Sequence, residues 1–547
     1  MSGIMVGGWV ACCLLLGFVH GRERVDPLVE TKQGIIRGVR ADAGDYSMFL
    51  GIPFGKVDEN NPFGLATPYP KFETTFLADD DSSICPQIEE FNKTIVGSLD
   101  CLHLNVYVPN VASSRNKLPV LVWIYGGGFQ IGFSGRYLHG PQYLVRHDVI
   151  MVTLNYRLGP YGFMCLDSPE VPGNQGLKDQ LLGLRWIKDN IESFGGDVNK
   201  ITLMGESAGA VSVELHLWSQ QEKLFNSVIL QSGSVYSPWV IIDTDVTQAI
   251  RLAGKLGFDT DSTSEAISFL AKTDTRLVIA AASEMSMAFG VCVEKEFDNV
   301  ESIITEHPRN SNVPMAKNIP ILTGFNNKER MVSYLDQPDS YFANLDVFNS
   351  SLSAVLEYDE EFHEMAALVR HFYIGDEEFS QDVKWEIIDF SSDNSFIYPV
   401  HESIAKFLDN GAEKLYHYVF SYSGDRNFVK KRYNITEKGA AHADEISFLF
   451  DMTYDPSIPT AEDQHIIDVM TTLWTNFVKY GNPTPETTEL LPVKWLPVTK
   501  DSLNCLNIDT ELSLQRNIYH ERMSFWKLFF KTNQGRIKGY NPMVPFV

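Results

Sequence analysis

Hydrophobic positions along the chain follow two kinds of pattern. Leu102 to Pro109 alternates apolar and polar residues, as a strand with one buried face does. Leu121 to Tyr125, Val149 to Leu154, Ile201 to Met204, Val228 to Leu230 and Ile319 to Phe325 are short, nearly continuous apolar runs, and Leu415 to Tyr422 is a later strand candidate. Continuous runs predict strands covered on both faces, as in a parallel sheet packed between helices. From Gly176 to Phe194, Leu177, Leu181, Leu184, Ile187 and Ile191 fall on one side of a helix that Gly195-Gly196 stops. Glu462 to Tyr480 predicts another long helix, and the aromatic stretch Ile518 to Phe530 closes the chain. Residues 28 to 55 hold short β-like runs, 56 to 100 read as loop, and 240 to 315 carry short amphipathic helices that suggest an insertion or cap. The expected class is α/β: a central, mostly parallel twisted sheet with helices on both faces, a small N-terminal sheet and large helical insertions. No polar linker interrupts the pattern, so residues 22–547 are expected to form a single domain.

Composition narrows the function classes. Hydrophobic residues make up 44% of the 547, enough for a large core, and the formal net charge is −25. Nucleic-acid binding needs a basic footprint, so no nucleic-acid partner is expected. Trp9 to Val19 is an apolar run of 11, too short to span a bilayer. It ends at Val19-His20-Gly21, a small-residue cleavage pattern, so residues 1–21 are expected to be a signal peptide and the protein to be secreted and extracellular. No interfacial amphipathic helix or lipidation signal is evident, and no stable membrane anchor is expected. Export permits disulfides among the five cysteines that follow. Cys85 and Cys101 close the shortest loop and are the favoured pair. Cys165 reads as a buried apolar filler, and a Cys292–Cys505 pair is left open. Three sequons, at Asn92, Asn349 and Asn434, are expected glycosylation sites.

The candidate chemistry centres on Gly205-Glu206-Ser207-Ala208-Gly209, which follows the apolar run Ile201 to Met204 and precedes a helix-compatible segment. This is the form of a nucleophile elbow, in which a serine stands clear of a sheet on a sharp turn between strand and helix. Such a serine needs an oxyanion site, a base and an acid that orients the base. Gly126-Gly127-Gly128, after the strand ending at Tyr125, can bring backbone N–H groups close to a developing oxyanion. Among the histidines well downstream, His363 and His465 lie in charge-rich helical settings and His417 in a strand. His307, His371, His401 and His520 carry no distinguishing signal. His442 sits in a loop of small residues before Ile446 to Phe450 and is the preferred base. The acid is less distinct. Glu329 follows the Ile319–Phe325 strand at the end where α/β sites form. Phe129 and Trp239 are candidate linings of a substrate pocket, with Glu206 beside the serine. No metal or cofactor motif is present, and none is expected.

The chain resembles the type-B carboxylesterase and cholinesterase family of α/β hydrolases. The segments that carry the resemblance are F-L-G-I-P-F (49–54), D-C-L-H-L-N-V-Y-V-P (100–109), Y-G-G-G-F (125–129), N-Y-R-L-G-P-Y-G-F (155–163), G-N-Q-G-L-K-D-Q (173–180), F-G-G-D (194–197), G-E-S-A-G-A (205–210) and Q-S-G-S (231–234). The resemblance implies an α/β-hydrolase fold and a serine esterase. It makes Ser207 the nucleophile, Glu329 the acid and His442 the base, with oxyanion N–H groups from Gly127, Gly128 and Ala208. It also implies a Cys85–Cys101 disulfide. No cysteine lies between 210 and 291, which puts the family's second disulfide in doubt. The Cys85–Cys101 loop has no tryptophan, the residue with which cholinesterases bind quaternary ammonium, so choline esters are not the expected substrates. Glu206 stands where juvenile hormone esterases usually carry glutamine. The likeness is greatest to secreted insect carboxylesterases, moth antennal esterases among them. It implies a small hydrophobic ester as substrate, such as an odorant, a pheromone or a toxic ester. Juvenile hormone ester hydrolysis is the alternative, and a non-catalytic adhesion or binding role the more distant one. Oligomeric state is left open.

Overall fold

The computed structural model describes residues 27–219 and 221–541; the expected signal peptide lies outside them. An eleven-stranded sheet dominates. Its strands are β1 (Val39–Arg40), β2 (Tyr46–Pro53), β3 (His103–Pro109), β4 (Leu118–Ile124), β5 (Ile150–Leu154), β6 (Gly196–Glu206), β7 (Ser227–Gln231), β8 (Ile321–Asn326), β9 (Leu415–Phe420), β10 (Asn504–Ile508) and β11 (Ser513–Arg516). They lie in the order β11-β10-β9-β8-β7-β6-β4-β5-β3-β2-β1. From β5 to β10 every neighbouring pair is parallel, and both margins are antiparallel. Every residue of β4, β5, β7, β8 and β9 is buried, so both faces of the centre are covered. This accounts for their continuous apolar runs.

The expected helices are present as α1 (Gln175–Asn190), α2 (Ala208–Trp218) and α3 (Ala461–Tyr480), and the closing aromatic stretch forms a further helix, α4 (His520–Thr532). Helix α3 begins with a capping box: Thr460 accepts from the Asp463 N–H at 3.1 Å, and Gly481 at φ 62° ends it. The small N-terminal sheet is three-stranded, pairing Leu28–Thr31 and Gly34–Arg37 with the distant Phe76–Leu77. The margin strands β10 and β11 have no counterpart in the sequence reading, because their segment lacks a strong apolar run.

The 240–315 region carries the helices Gln248–Lys255, Thr263–Lys272 and Thr275–Glu284. One of its buried attachments to the sheet domain centres on a disulfide. Cys165 forms a disulfide with Cys292, correcting both the filler reading of Cys165 and the open Cys292–Cys505 pairing; Cys505 is buried and free. The partner of Cys165 was hidden by 127 residues of separation. Beside the disulfide, Lys178 on α1 meets Glu294 at 2.5 Å, both buried, and Asn174 donates to the Glu294 carboxylate at 2.9 Å and to the Cys292 carbonyl at 2.8 Å. A second buried pair, Arg157 with Asp179, is bidentate at 2.7 Å and 2.7 Å. The same guanidinium donates to the carbonyls of Pro62 and Gly64, holding that loop against the domain. Breaking either pair would leave a buried charge uncompensated.

Candidate active site

Four strands deliver the site from their carboxyl ends, where α/β folds collect function. β6 ends at Glu206, and Ser207 follows with φ 55° and ψ −126°, a sparsely populated conformation for a residue with a Cβ. The turn is tight enough that a Cβ on Gly209 would collide with the carbonyl of Ile124, and one on Gly205 with the Gly209 backbone. The Ser207 N–H donates to the Gln231 carbonyl at the end of β7 at 2.8 Å, which ties the elbow to its neighbour strand. Ala208 opens α2, so its N–H has no carbonyl one turn earlier in the helix.

After β4, Gly127 and Gly128 take φ 108° and 60°, folding the loop over the elbow. A Cβ at Gly126 would lie 2.8 Å from that of Ser207. The glycine loop therefore faces the serine directly.

The carboxylate and imidazole come from β8 and from the loop after β9. Glu329 is buried, and its Oε2 accepts from His442 Nδ1 at 2.6 Å while Oε1 accepts from the Asn326 N–H at 2.7 Å. The backbone adds a third link, His442 N–H to Glu329 carbonyl at 3.1 Å. With Nδ1 carrying the proton toward Glu329, Nε2 is left to face the elbow, where it lies 3.1 Å from Glu206 Oε1. Ser207 and Glu206 are adjacent, so this one nitrogen serves a stretch of cavity wall that both residues form.

Burial opposes charge on the His442 ring, but the Glu206 and Glu329 carboxylates outweigh it and push the imidazole up to about 9. Burial pushes the Glu206 carboxyl up to about 8, against the pull of the imidazole. The cluster thus holds protons to higher pH than a free imidazole would.

Behind these groups runs a buried polar network that sequence reasoning missed. Glu445 accepts from Gln231 Nε2 at 3.0 Å and from Asn326 Nδ2 at 2.5 Å, and Trp474 Nε1 donates to the Gln231 side chain at 2.9 Å. Gln231 holds the elbow and Asn326 holds Glu329, so Glu445 links the two. Burial, reinforced by Glu329, pushes Glu445 up to about 7. Its one signal in the sequence is a carboxylate directly before the apolar run Ile446–Phe450.

A cavity of about 360 Å³ opens at the serine, and Gly127, Gly128, Glu206, Ser207, Glu329 and His442 all line it. Phe129 and Trp239 are not among its walls. Phe129, at φ 63°, is fully buried. Its ring lies 6.3 Å from Trp239, which lies 6.1 Å from Phe396, which in turn packs 4.4 Å from the His442 ring. Phe396 carried no signal in the sequence: a π-turn at Asp393–Ile397 between two helices brings it to the imidazole. On the opposite flank, Arg432 donates to Glu90 Oε2 at 2.8 Å and lies 4.8 Å over the Phe91 ring, clasping the loop closed by the Cys85–Cys101 disulfide to the cavity's edge.

The other histidines fall elsewhere. His417 is buried in β9, where burial lowers its ring to about 3. His401 is likewise buried and lowered to about 4, while His363 and His465 are exposed. No cluster of potential metal ligands occurs among the described residues.

The sequence model of the carboxylesterase family matches residues 25–526. The chain belongs to the carboxylesterase family. It is 31% identical to rat (Rattus norvegicus) bile salt-activated lipase over 95% of this chain and 87% of the relative. To esterase FE4 of Myzus persicae it is 31% identical over 83% of each chain, and to juvenile hormone esterase of Tribolium castaneum 31% over 84% of each. The fold is accordingly that of an α/β hydrolase, and the protein is a carboxylic ester hydrolase. No helix among the described residues is long and apolar enough to cross a membrane.

Proposed function

We propose that Ser207 is the nucleophile of this carboxylesterase, His442 its general base and Glu329 the acid that orients the ring. The observation that carries this reading is the imidazole held 2.6 Å from a buried carboxylate with its free nitrogen turned to the elbow cavity. His442 takes the hydroxyl proton as Ser207 Oγ attacks the ester carbonyl, and the N–H groups of Gly127, Gly128 and Ala208 stabilise the oxyanion. The alcohol leaves with the proton from His442, and water then repeats the sequence on the acyl-enzyme. Hydrogen bonds between base and nucleophile often tighten only with substrate in place, so the ring facing Glu206 is compatible with this role. Ser207→Ala should lower kcat roughly a million-fold on p-nitrophenyl acetate and abolish labelling by a fluorophosphonate. Retained turnover, or labelling at another serine, would overturn the assignment.

The substrate reading is a small hydrophobic ester, odorant or toxic esters included, processed by a secreted protein of one domain (22–547). Exposed Asn92 and Asn434, with the partly buried Asn349, are the proposed glycan sites. The juvenile hormone esterase relative supports a second reading. Kinetics on long-chain alkyl acetates, juvenile hormone, p-nitrophenyl esters and acetylthiocholine separate the two, and a preference for acetylthiocholine would sink both.

A further inference from the structure

Among the described residues, no ion pair engages one of the cationic side chains on the catalytic cavity. Arg330 follows Glu329 directly and lines the same cavity as Ser207 and His442. Its Nε is buried without a hydrogen-bond partner, and its backbone N–H is already used, donating to Ser392 Oγ at 3.1 Å. The neighbouring acids are committed elsewhere. Glu329 is held by His442, Asp389 is shared by Lys328 at 2.7 Å and Arg522 at 2.5 Å, and Asp393 takes Arg522 at 3.1 Å. Among the described residues no ion pair engages the Arg330 guanidinium; the other arginine on the cavity, Arg432, is occupied by Glu90.

A partly buried guanidinium with free donors is costly to desolvate unless something accepts from it. The part of the substrate it would border follows from the chemistry. His442 must deliver a proton to the departing oxygen, so the alcohol portion lies on the His442 side of the cavity. Arg330 adjoins the residue that holds His442 and flanks that same side. We propose that Arg330 is a specificity determinant of the leaving-group subsite, accepting esters whose alcohol portion carries a carboxylate. The planar fork of the guanidinium matches a carboxylate's two oxygens. The proposal rests on the catalytic roles given above to Ser207 and His442.

The test follows acetate release from two substrates that differ at the carboxyl group alone, 4-acetoxybenzoate and its methyl ester, with the full-length enzyme. Arg330→Met should lower the ratio of kcat/KM for the acid over that for the methyl ester by roughly tenfold or more, and Arg330→Lys should recover part of it. Equal changes on both esters would overturn the proposal. Benzoate binding to the wild-type protein, followed by calorimetry, needs neither turnover nor a folded variant. Benzoate should bind at least about tenfold more tightly than benzamide, and equal affinities would also overturn it. Absence of any ester hydrolysis and of fluorophosphonate labelling would count against the catalytic reading alone, leaving benzoate affinity to decide the role of Arg330.

Discussion

Glu206 and Glu329 together set the working pH of His442, the proposed base. The Glu206 carboxylate raises the imidazole through its charge, and Glu329 raises it through both its charge and its hydrogen bond, against the effect of burial. The base acts in its neutral form, so a raised His442 places the acidic limb of kcat/KM above that of a free imidazole. Glu206→Gln keeps the shape and removes the charge. The limb should therefore move to lower pH, and titrating kcat/KM on p-nitrophenyl acetate in both proteins checks this. A limb that stays in place would mean that Glu329 alone holds the proton. Ser207, Glu329 and His442 could be read as candidates from the sequence because each sits in a distinctive local setting: an elbow, a strand end and a loop of small residues. Phe396, Arg330 and Glu445 could not. Their roles depend on what lies across the cavity, and nothing within several residues of them records that.

The elements of the site are shaped by close approach. The strand–elbow–helix unit of β6 and α2 works because the backbone of Gly209 runs against Ile124 at the end of β4. Gly209→Ala should force the two apart, destabilise the fold by about 1–3 kcal/mol, occasionally more, and lower activity together with Tm. Thermal unfolding followed by circular dichroism measures it, and an unchanged Tm would show that α2 can shift freely. Strand positions were legible wherever both faces are buried, since burial on both sides demands an unbroken apolar run. β10 and β11 escaped because the sheet's margin imposes no such demand: β10 interrupts its apolar residues with Asn504 and Asn507, and no residue of β11 is buried.

At the scale of the whole molecule, the Cys165–Cys292 disulfide and the buried Lys178–Glu294 pair tie the helical insertion to α1 and the sheet. Replacing both cysteines by alanine removes a constraint on a long stretch of chain and should cost about 2–4 kcal/mol. Native-state proteolysis should then cut first within residues 240–315. Uniform cleavage, or none, would show that the ion pair and packing suffice to hold the insertion. With a formal charge of −25 on the whole chain, the internal charges are still matched pair by pair.

Fold class, family and reaction type were written into the order of residues, because buried strands, an elbow glycine and a glycine loop each need a particular side chain at a particular spacing. The second disulfide, the polar network through Glu445, the aromatic contact on His442 and the Arg330 guanidinium, which has no ion pair among the described residues, arose only on folding. Each joins segments separated widely along the chain or depends on a partner being absent, and neither condition leaves a mark on local sequence.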